Sequence, residues 1–253
     1  MLKEGDTVQL LDGKNRFFLK LKKGEIFGTH RGNIKHDDII GKNFGETVET
    51  HLGHKFTILE ANLYEIIMYG IKRKTQIIYP KDSAFITIRL GLTDGMKVLE
   101  AGIGSGALSL VMANAVKPTG TIYAFEKEEK HLETALENIK LTNLDRYIKA
   151  EKKDLKEGLP ENFFDAGFID VREPWEYMEN IYKSLKVGAN LGFLLPTTNQ
   201  VSRTLEEIEK YPFKEKEVVE ILLRKYKPVP DRLRPEDRMI AHTGYLVFCR
   251  KYG

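Results

Sequence analysis

The sequence contains a single cysteine among its 253 residues, Cys249, so no disulfide can form within one chain. It has no apolar run of about 20 residues that could cross a membrane as a helix, and its first residues lack the apolar core of a signal peptide. His30, His36, His51 and His54 have no cysteine near them, and their spacing matches no common zinc pattern. We therefore expect a cytoplasmic protein with no membrane segment and no metal site.

The sequence also lacks a large excess of positive or negative charge, because its 40 basic and 37 acidic residues leave a net charge of only +3. A chain that binds nucleic acid with its whole surface is thereby excluded, and any such surface must be a local patch or be shared between subunits. The segment 224–238 is basic and interrupted by prolines, with Arg232 and Arg234 near its centre. Its composition fits a nucleic-acid contact and also an ordinary solvated loop.

Residues 98–116 are the most informative stretch, because an apolar strand, a turn with three glycines and an apolar helix follow one another. Such a turn brings the free N–H groups of a helix N-terminus to a bound ligand. Gly102, Gly104 and Ala107 fit the dinucleotide fingerprint, and Glu126 lies where that fingerprint has its ribose-binding acid. Glu100 favours a cation instead, since a carboxylate attracts the ammonium of S-adenosylmethionine (SAM) and repels a pyrophosphate. The pattern E-x-G-x-G-x-G resembles the first motif of class I SAM-dependent methyltransferases.

Strand and helix patterns alternate from this stretch to the end of the chain, and Glu126, Asp154 and Asp170 end three successive strands. In an open α/β sheet the carboxyl ends of the strands form the edge where ligands bind. The first 60 residues differ, with short β-prone segments separated by glycines. We predict an α/β protein with a small N-terminal β domain at residues 1–65. Residues 66–253 are predicted to form a seven-stranded, Rossmann-like class I methyltransferase domain.

Five motifs, in order along nearly the whole chain, resemble those of the TrmI-like tRNA (adenine-58-N1)-methyltransferases. They are I-I-G-K at 39–42, Q-I-I-Y-P-K-D at 76–82, E-A-G-I-G-S-G-A-L at 100–108, D-V-R-E-P-W at 170–175 and H-T-G-Y at 242–245. The resemblance implies a SAM-dependent homotetramer that methylates N1 of adenine 58 in the T-loop of tRNA. The chain departs from many relatives after Asp170, where they have Leu-Pro and it has Val171 and Arg172.

The resemblance and the strand-end chemistry together assign roles to individual residues. The predicted cofactor-binding residues are Gln76, Glu100, Gly102, Ile103, Gly104, Ser105, Gly106, Ala107, Glu126, His131, Asp154 and Asp170. Glu126 suits the ribose hydroxyls and Asp154 the adenine amino group of SAM, whereas His131 fits an exposed helix position equally well. Asp170 is also the predicted catalytic residue, because adenine N1 already has a lone pair and needs alignment and charge stabilisation more than a base.

The predicted substrate-binding residues are Tyr79, Trp175, Arg232 and Arg234. Tyr79 is the candidate for stacking on an extruded base, with a core tyrosine as the alternative. Two other enzyme classes share part of the pattern. A protein methyltransferase of the isoaspartyl type would have the same SAM motifs but would need neither the N-terminal β domain nor the basic segment 224–238. An NAD-dependent dehydrogenase would fit the glycine spacing, but Glu100 disfavours it and no second nucleotide-binding half is visible in the sequence. A non-enzymatic RNA-binding module would leave the strand-end acids unexplained.

Overall fold

The computed structural model describes residues 1–13 and 15–253, which form two compact units. The first comprises Met1–Lys72 and Glu137–Asn143, and the second comprises Arg73–Leu136 and Leu144–Gly253. The division of the chain into domains at 1–65 and 66–253 stays a prediction.

The first unit is built from short antiparallel strands, which confirms the predicted small β region. Its strands are β1 (Thr7–Asp12), β2 (Asn15–Lys20), β3 (Ile26–Thr29), β4 (Gly32–Lys35), β5 (Thr47–Glu49) and β6 (Lys55–Glu60). Four of them form a sheet in the order β2-β1-β6-β5, and β3 pairs with β4. In β6 the buried Phe56 and Ile58 alternate with more exposed residues, so one face of the sheet covers the core.

A short helix follows the last of these strands. Helix α1 (Leu63–Glu65) is capped by Asn62, whose side chain accepts from Glu65 N at 2.9 Å, and continues as a π-helical turn, Ile66–Gly70. Residues Glu137–Asn143 join this unit although they are distant in sequence: Asn138 exchanges two hydrogen bonds of 2.8 Å with the backbone of Lys72.

The second unit alternates helices with strands. Its helices are α2 (Pro80–Arg89), α3 (Ala107–Val116), α4 (Glu129–Lys140), which continues into the first unit, α5 (Met178–Ser184) and α6 (Thr198–Ile208). Its strands are β7 (Lys97–Ala101), β8 (Thr121–Glu126), β9 (Ile148–Lys152), β10 (Phe164–Ile169), β11 (Leu185–Leu195), β12 (Phe213–Val219), β13 (Tyr226–Lys227), β14 (Arg234–Pro235) and β15 (Tyr245–Lys251).

Seven of these strands form one sheet in the order β12-β15-β11-β10-β7-β8-β9, which confirms the predicted fold class. The pairs between β9 and β11 are all parallel, while β15 runs antiparallel to both β11 and β12. Here the last strand, β15, is inserted between β11 and β12. Dinucleotide-binding folds have the strand order 3-2-1-4-5-6 and no inserted antiparallel strand, so the topology disfavours the dehydrogenase alternative. The strand order reverses between β7 and β10, and ligands bind at the carboxyl ends of strands beside such a reversal.

Candidate active site

A cavity of about 880 Å³ opens at this reversal, in the second unit. Eleven of the twelve predicted cofactor-binding residues line it: Gln76, Glu100, Gly102, Ile103, Gly104, Ser105, Ala107, Glu126, His131, Asp154 and Asp170. The remaining one, Gly106, lies outside this set and precedes helix α3, with a φ of 77°. The rest of the described lining consists of Thr75, Ile77, Ile78, Ala101, Leu108, Phe125, Lys127, Glu128, Lys153, Leu155, Lys156, Val171, Arg172, Glu173, Glu176, Tyr177, Leu194, Pro196 and Thr243.

The backbones at the ends of β7 and β10 approach each other at Gly102. Its φ of 85° is in the left-handed region, and a Cβ atom there would lie 2.0 Å from the Asp170 carbonyl oxygen. A backbone hydrogen bond of 2.8 Å from Asp170 N to Ala101 O holds this approach, and one of the same length from Gly102 N to Phe125 O joins the turn to β8. Glycine is therefore required at position 102, and the contact places Asp170 beside the glycine turn.

Glu126, at the end of β8, faces the same turn. Its Oε2 accepts from Gly104 N at 3.3 Å, and its Oε1 accepts from Glu128 N at 3.0 Å. His131 Nδ1 lies 4.0 Å from the same Oε1. The carboxylate is thus held by one backbone donor from the glycine turn and one from the segment that follows β8.

Glu100 and Asp170 both have carboxyl groups that resist ionisation. Burial raises the pKa of Glu100 to about 8, and the nearby Asp170 and Glu126 add to the rise, against a 2.6 Å hydrogen bond donated by Ser109 Oγ. Burial also raises the pKa of Asp170 to about 7, with a further contribution from the Glu126 carboxylate. Three carboxyl groups that repel one another stabilise a cation placed among them.

Basic side chains also line the cavity, but some of them already interact with an acidic or aromatic side chain of the protein. The described lining holds seven carboxyl groups and four lysine or arginine side chains. Lys156 pairs with Glu176 at 2.6 Å, and Lys153 Nζ lies 5.7 Å from the centre of the Phe125 ring. The cavity therefore carries an excess of acidic groups and suits a positively charged ligand.

Asp154 follows β9 and caps a short 3-10 helix, Leu155–Glu157. Its Oδ1 accepts from Lys156 N at 2.9 Å, and Glu157 Oε1 accepts from Asp154 N at 3.0 Å. This reciprocal capping fixes the Asp154 backbone at the cavity edge.

The four predicted substrate-binding residues lie outside the described lining set. Tyr79 is the N-cap residue of α2. Trp175 lies in the 3-10 helix Pro174–Tyr177, with the Arg203 guanidinium 4.2 Å from the centre of its ring. Arg232 and Arg234 are in the segment between β12 and β15, where Arg232 is exposed. Their roles in substrate binding stay predictions.

The comparisons with known proteins agree with this geometry. The family described as "tRNA methyltransferase complex GCD14 subunit" matches residues 55–234, and a TrmI-like N-terminal family matches residues 1–48. The tRNA (adenine(58)-N(1))-methyltransferase TrmI of Thermus thermophilus is 31% identical over 245 residues, which are 96% of each chain. The chain belongs to the TrmI-like family of tRNA (adenine-58-N1)-methyltransferases.

Two solved structures are similar to this TrmI-like chain over its whole length. The tRNA (m1A58) methyltransferase TrmI from Aquifex aeolicus is 45% identical, with a TM-score of 0.80 and 99% of its chain covered. A structure described as a SAM-dependent O-methyltransferase from Thermotoga maritima is 40% identical, with a TM-score of 0.85 and 95% of its chain covered. This TrmI-like chain therefore has the fold of SAM-dependent methyltransferases.

Metal-binding clusters and membrane-spanning helices are both absent from the described residues of this family member. Residues 1–13 and 15–253 contain no group of three or more His, Cys, Asp or Glu side chains arranged to hold a metal ion. The helices within the same ranges are too short or too polar to cross a membrane.

Sequence reasoning missed several wall residues of the TrmI-like site, chiefly Leu194, Pro196 and Thr243. Thr243 belongs to the H-T-G-Y motif, which indicated the family but not a place in the cavity. The place of Leu194 and Pro196 in the cavity wall can be inferred from the strand order alone, because β11 ends beside β10 and its carboxyl end lies at the same edge of the sheet.

Proposed function

We propose that this protein transfers a methyl group from SAM to N1 of adenine 58 in the T-loop of tRNA. The observation that carries the proposal is the acidic cavity at the glycine turn between β7 and β10, in a chain of the TrmI-like family. Membership of the family supports the target nucleoside, and the excess of carboxyl groups supports a cationic methyl donor.

One group of residues at the cavity fits SAM, and we call it the cofactor end: Gln76, Glu100, the turn at 102–107, Glu126, His131 and Asp154. SAM supplies a methyl group activated by attachment to a positively charged sulfur. Backbone N–H groups of the turn suit its carboxylate, and the Glu100 carboxylate suits its ammonium. Glu126 would accept from the ribose hydroxyls and Asp154 from the adenine amino group. Gln76 and His131 also line the cavity and would complete the contact surface.

A second group of cavity residues suits the adenine that receives the methyl group, and we call it the acceptor end: Ile77, Ile78, Asp170, Leu194, Pro196 and Thr243. Asp170 would accept a hydrogen bond from N6 of the adenine and stabilise the positive charge that develops on the ring. Because N1 needs no deprotonation before it reacts, alignment of the ring is the main task of this end.

A T-loop adenine must leave the RNA stack before N1 can be reached. Tyr79 would provide a surface for stacking, and Trp175 with Arg203 a second aromatic face beside the cavity. Arg232 and Arg234 lie in a largely exposed segment and would contact phosphates, which position RNA without reading its sequence.

We also propose that the protein acts as a homotetramer. Several large apolar side chains are exposed, among them Ile88, Val187, Leu222, Leu233 and Ile240. Exposed apolar side chains that lie next to one another favour association between chains, and with a net charge of only +3 several subunits would bind a large polyanion better than one. Light scattering at micromolar concentration tests this, and a mass of one chain, 29.0 kDa, would contradict it.

Incubation with isotope-labelled SAM and unmodified tRNA, followed by nucleoside analysis, tests the proposed activity. We expect label in 1-methyladenosine and its absence when adenine 58 is replaced by guanine. Label in another nucleoside, or an unchanged yield from the replaced tRNA, would contradict the proposal.

A further inference from the structure

Lys81 and Asp82 form a buried ion pair behind the acceptor end. Both lie in the first turn of α2, and their side chains are only 9% and 3% exposed. Lys81 Nζ lies 2.8 and 2.9 Å from the two oxygens of Asp82. Neither residue is in the described lining of the cavity. The proposed chemistry therefore gives this pair no direct task.

The pair holds the hydroxyl of Thr243, which does line the cavity. Lys81 Nζ donates to Thr243 Oγ1 at 2.6 Å, and Thr243 Oγ1 donates to Asp82 Oδ2 at 3.0 Å. Lys81 Nζ also donates to the Ile221 carbonyl at 2.7 Å. A threonine hydroxyl with one donor and one acceptor in place has a fixed orientation.

The neighbouring His242 connects the same segment to another part of the wall. Its Nδ1 lies 2.6 Å from Glu220 Oε1, and its Nε2 lies 2.9 Å from the Pro196 carbonyl oxygen. Both partners are acceptors, so the ring makes both bonds only when it carries two protons. The Glu220 carboxylate favours that state by raising the pKa of His242.

These contacts join three wall segments that are far apart in sequence. Ile77 and Ile78 lead through Tyr79 into α2, where the ion pair lies. Thr243 is bound by the pair, and Pro196 is bound by His242. A change in the pair would therefore alter the positions of all three segments around the acceptor.

We infer that Lys81 and Asp82 are positioning residues, which hold Thr243 and the acceptor end of the cavity in the arrangement that methyl transfer requires. The inference rests on the proposed function. A buried ion pair is a poor source of stability, because removing two charges from water costs about as much as their attraction returns. A displacement of about 1 Å at a reacting centre, by contrast, lowers a rate by about 100-fold.

Thr243→Val tests the inference without touching a charge, since valine keeps the shape and lacks the hydroxyl. We expect single-turnover formation of 1-methyladenosine at saturating SAM to slow by about 10- to 100-fold. The SAM affinity, measured by calorimetry, and the Tm should stay close to wild type. Thr243→Ser retains the hydroxyl and should recover most of the rate.

Thr119→Val is the matched control. Thr119 Oγ1 donates to the Asp94 carboxylate at 2.9 Å, and Thr119 is outside the described lining of the cavity. The same kind of hydrogen bond is lost there, so we expect an unchanged rate.

The double variant Lys81→Met/Asp82→Leu separates positioning from stability. Either single change leaves a buried charge unpaired and lowers the Tm, whereas the double change replaces both charges by apolar groups and should recover the Tm. We expect its methylation rate to remain low, because Thr243 has lost both partners. Recovery of the rate together with the Tm would show a structural role only and overturn the inference.

The outcomes distinguish this inference from the proposed function. Wild-type protein that forms no 1-methyladenosine would contradict the proposed function itself. An active wild type with an equally active Thr243→Val variant would overturn the positioning role alone. A Thr243→Val variant that loses rate because its oligomeric state changes, as seen by light scattering, would also overturn it.

Discussion

The cofactor end of the cavity comes largely from one contiguous stretch, residues 100–107, with single acids from two neighbouring strands. The acceptor end instead brings together Ile77, Ile78, Asp170, Pro196 and Thr243, which span more than 160 positions of the chain. Local backbone geometry fixes the first end, at Gly102 above all, whereas side-chain contacts from Lys81 and His242 hold the second. The contrast suggests that the binding of SAM and the alignment of the acceptor can be damaged separately.

Asp170→Ala should separate the two ends most strongly. Loss of a positioned group at the reacting centre lowers a rate by about two to four orders of magnitude, and we expect this in single-turnover methylation with saturating SAM and tRNA. Asp170→Asn should also be slow, because an amide does not stabilise the developing positive charge. Binding of tRNA should change little, since it depends on phosphate contacts elsewhere. A rate near wild type for Asp170→Ala would remove Asp170 from the catalytic role.

Gly102→Ala tests whether local backbone geometry fixes the cofactor end. An added Cβ would lie 2.0 Å from the Asp170 carbonyl oxygen, on a backbone with a φ of 85°. We expect the free energy of unfolding, measured by urea denaturation, to fall by about 3 kcal/mol or more.

Gly158→Ala is the control for that change. Gly158 has a similar φ of 91°, but no atom of the described residues lies within 4 Å of an added Cβ, so only backbone strain remains, about 1–3 kcal/mol. Equal losses for the two variants would show that the close approach at Gly102 is unimportant.

Glu126→Ala should act at the cofactor end. Hydrogen bonds to a carboxylate contribute about 1.5–3 kcal/mol, so we expect SAM to bind roughly 10- to 100-fold more weakly in calorimetry. Glu151→Ala on the adjacent strand β9 removes an exposed acid outside the described cavity lining and should leave the affinity unchanged. An unaltered affinity in Glu126→Ala would contradict the ribose-binding role.

The dependence of SAM binding on pH should be the smallest of these effects. Glu100 and Asp170 have pKa values raised to about 8 and about 7, and a cation favours their ionised forms. Binding should therefore release protons, and affinity should rise by about tenfold between pH 6 and pH 8.5. Calorimetry in two buffers of different ionisation enthalpy measures the proton release. Affinity that falls over this range would contradict the assignment.

The same two groups affect the protein without cofactor in the opposite direction. From about pH 4 to about pH 8 the folded protein retains protons that the unfolded chain has released, so its free energy of unfolding should decrease as pH rises. Denaturation of Glu100→Gln should show a weaker decrease.

The sequence predicted the cofactor end well because its signals are local. Three glycines at alternate positions and acids at the ends of apolar strands are visible within a few residues, and 11 of the 12 predicted cofactor-binding residues line one cavity. The sheet was predictable for the same reason, since β8, β9 and β10 end beside Glu126, Asp154 and Asp170.

The acceptor end was less predictable, because periodicity does not show which distant segments meet. In α2 the apolar Ile88 is 82% exposed, whereas the buried face includes the polar Asp82 and Ser83 beside Ile86. The buried charge of Asp82 is stable there only because Lys81 and Thr243 reach it, and Thr243 is 161 residues away. No local pattern contains that information.

Glu126→Ala, assayed for single-turnover methylation of tRNA at a SAM concentration that saturates the variant, tests the separation of the two ends most directly. We expect 1-methyladenosine to form at nearly the wild-type rate, because Glu126 would only bind the cofactor and its loss can be overcome by more SAM. Asp170→Ala measured beside it should remain slow at any SAM concentration. A Glu126→Ala rate that stays low at saturation, or an Asp170→Ala rate that recovers with added SAM, would contradict a cavity with one end for the cofactor and one for the acceptor.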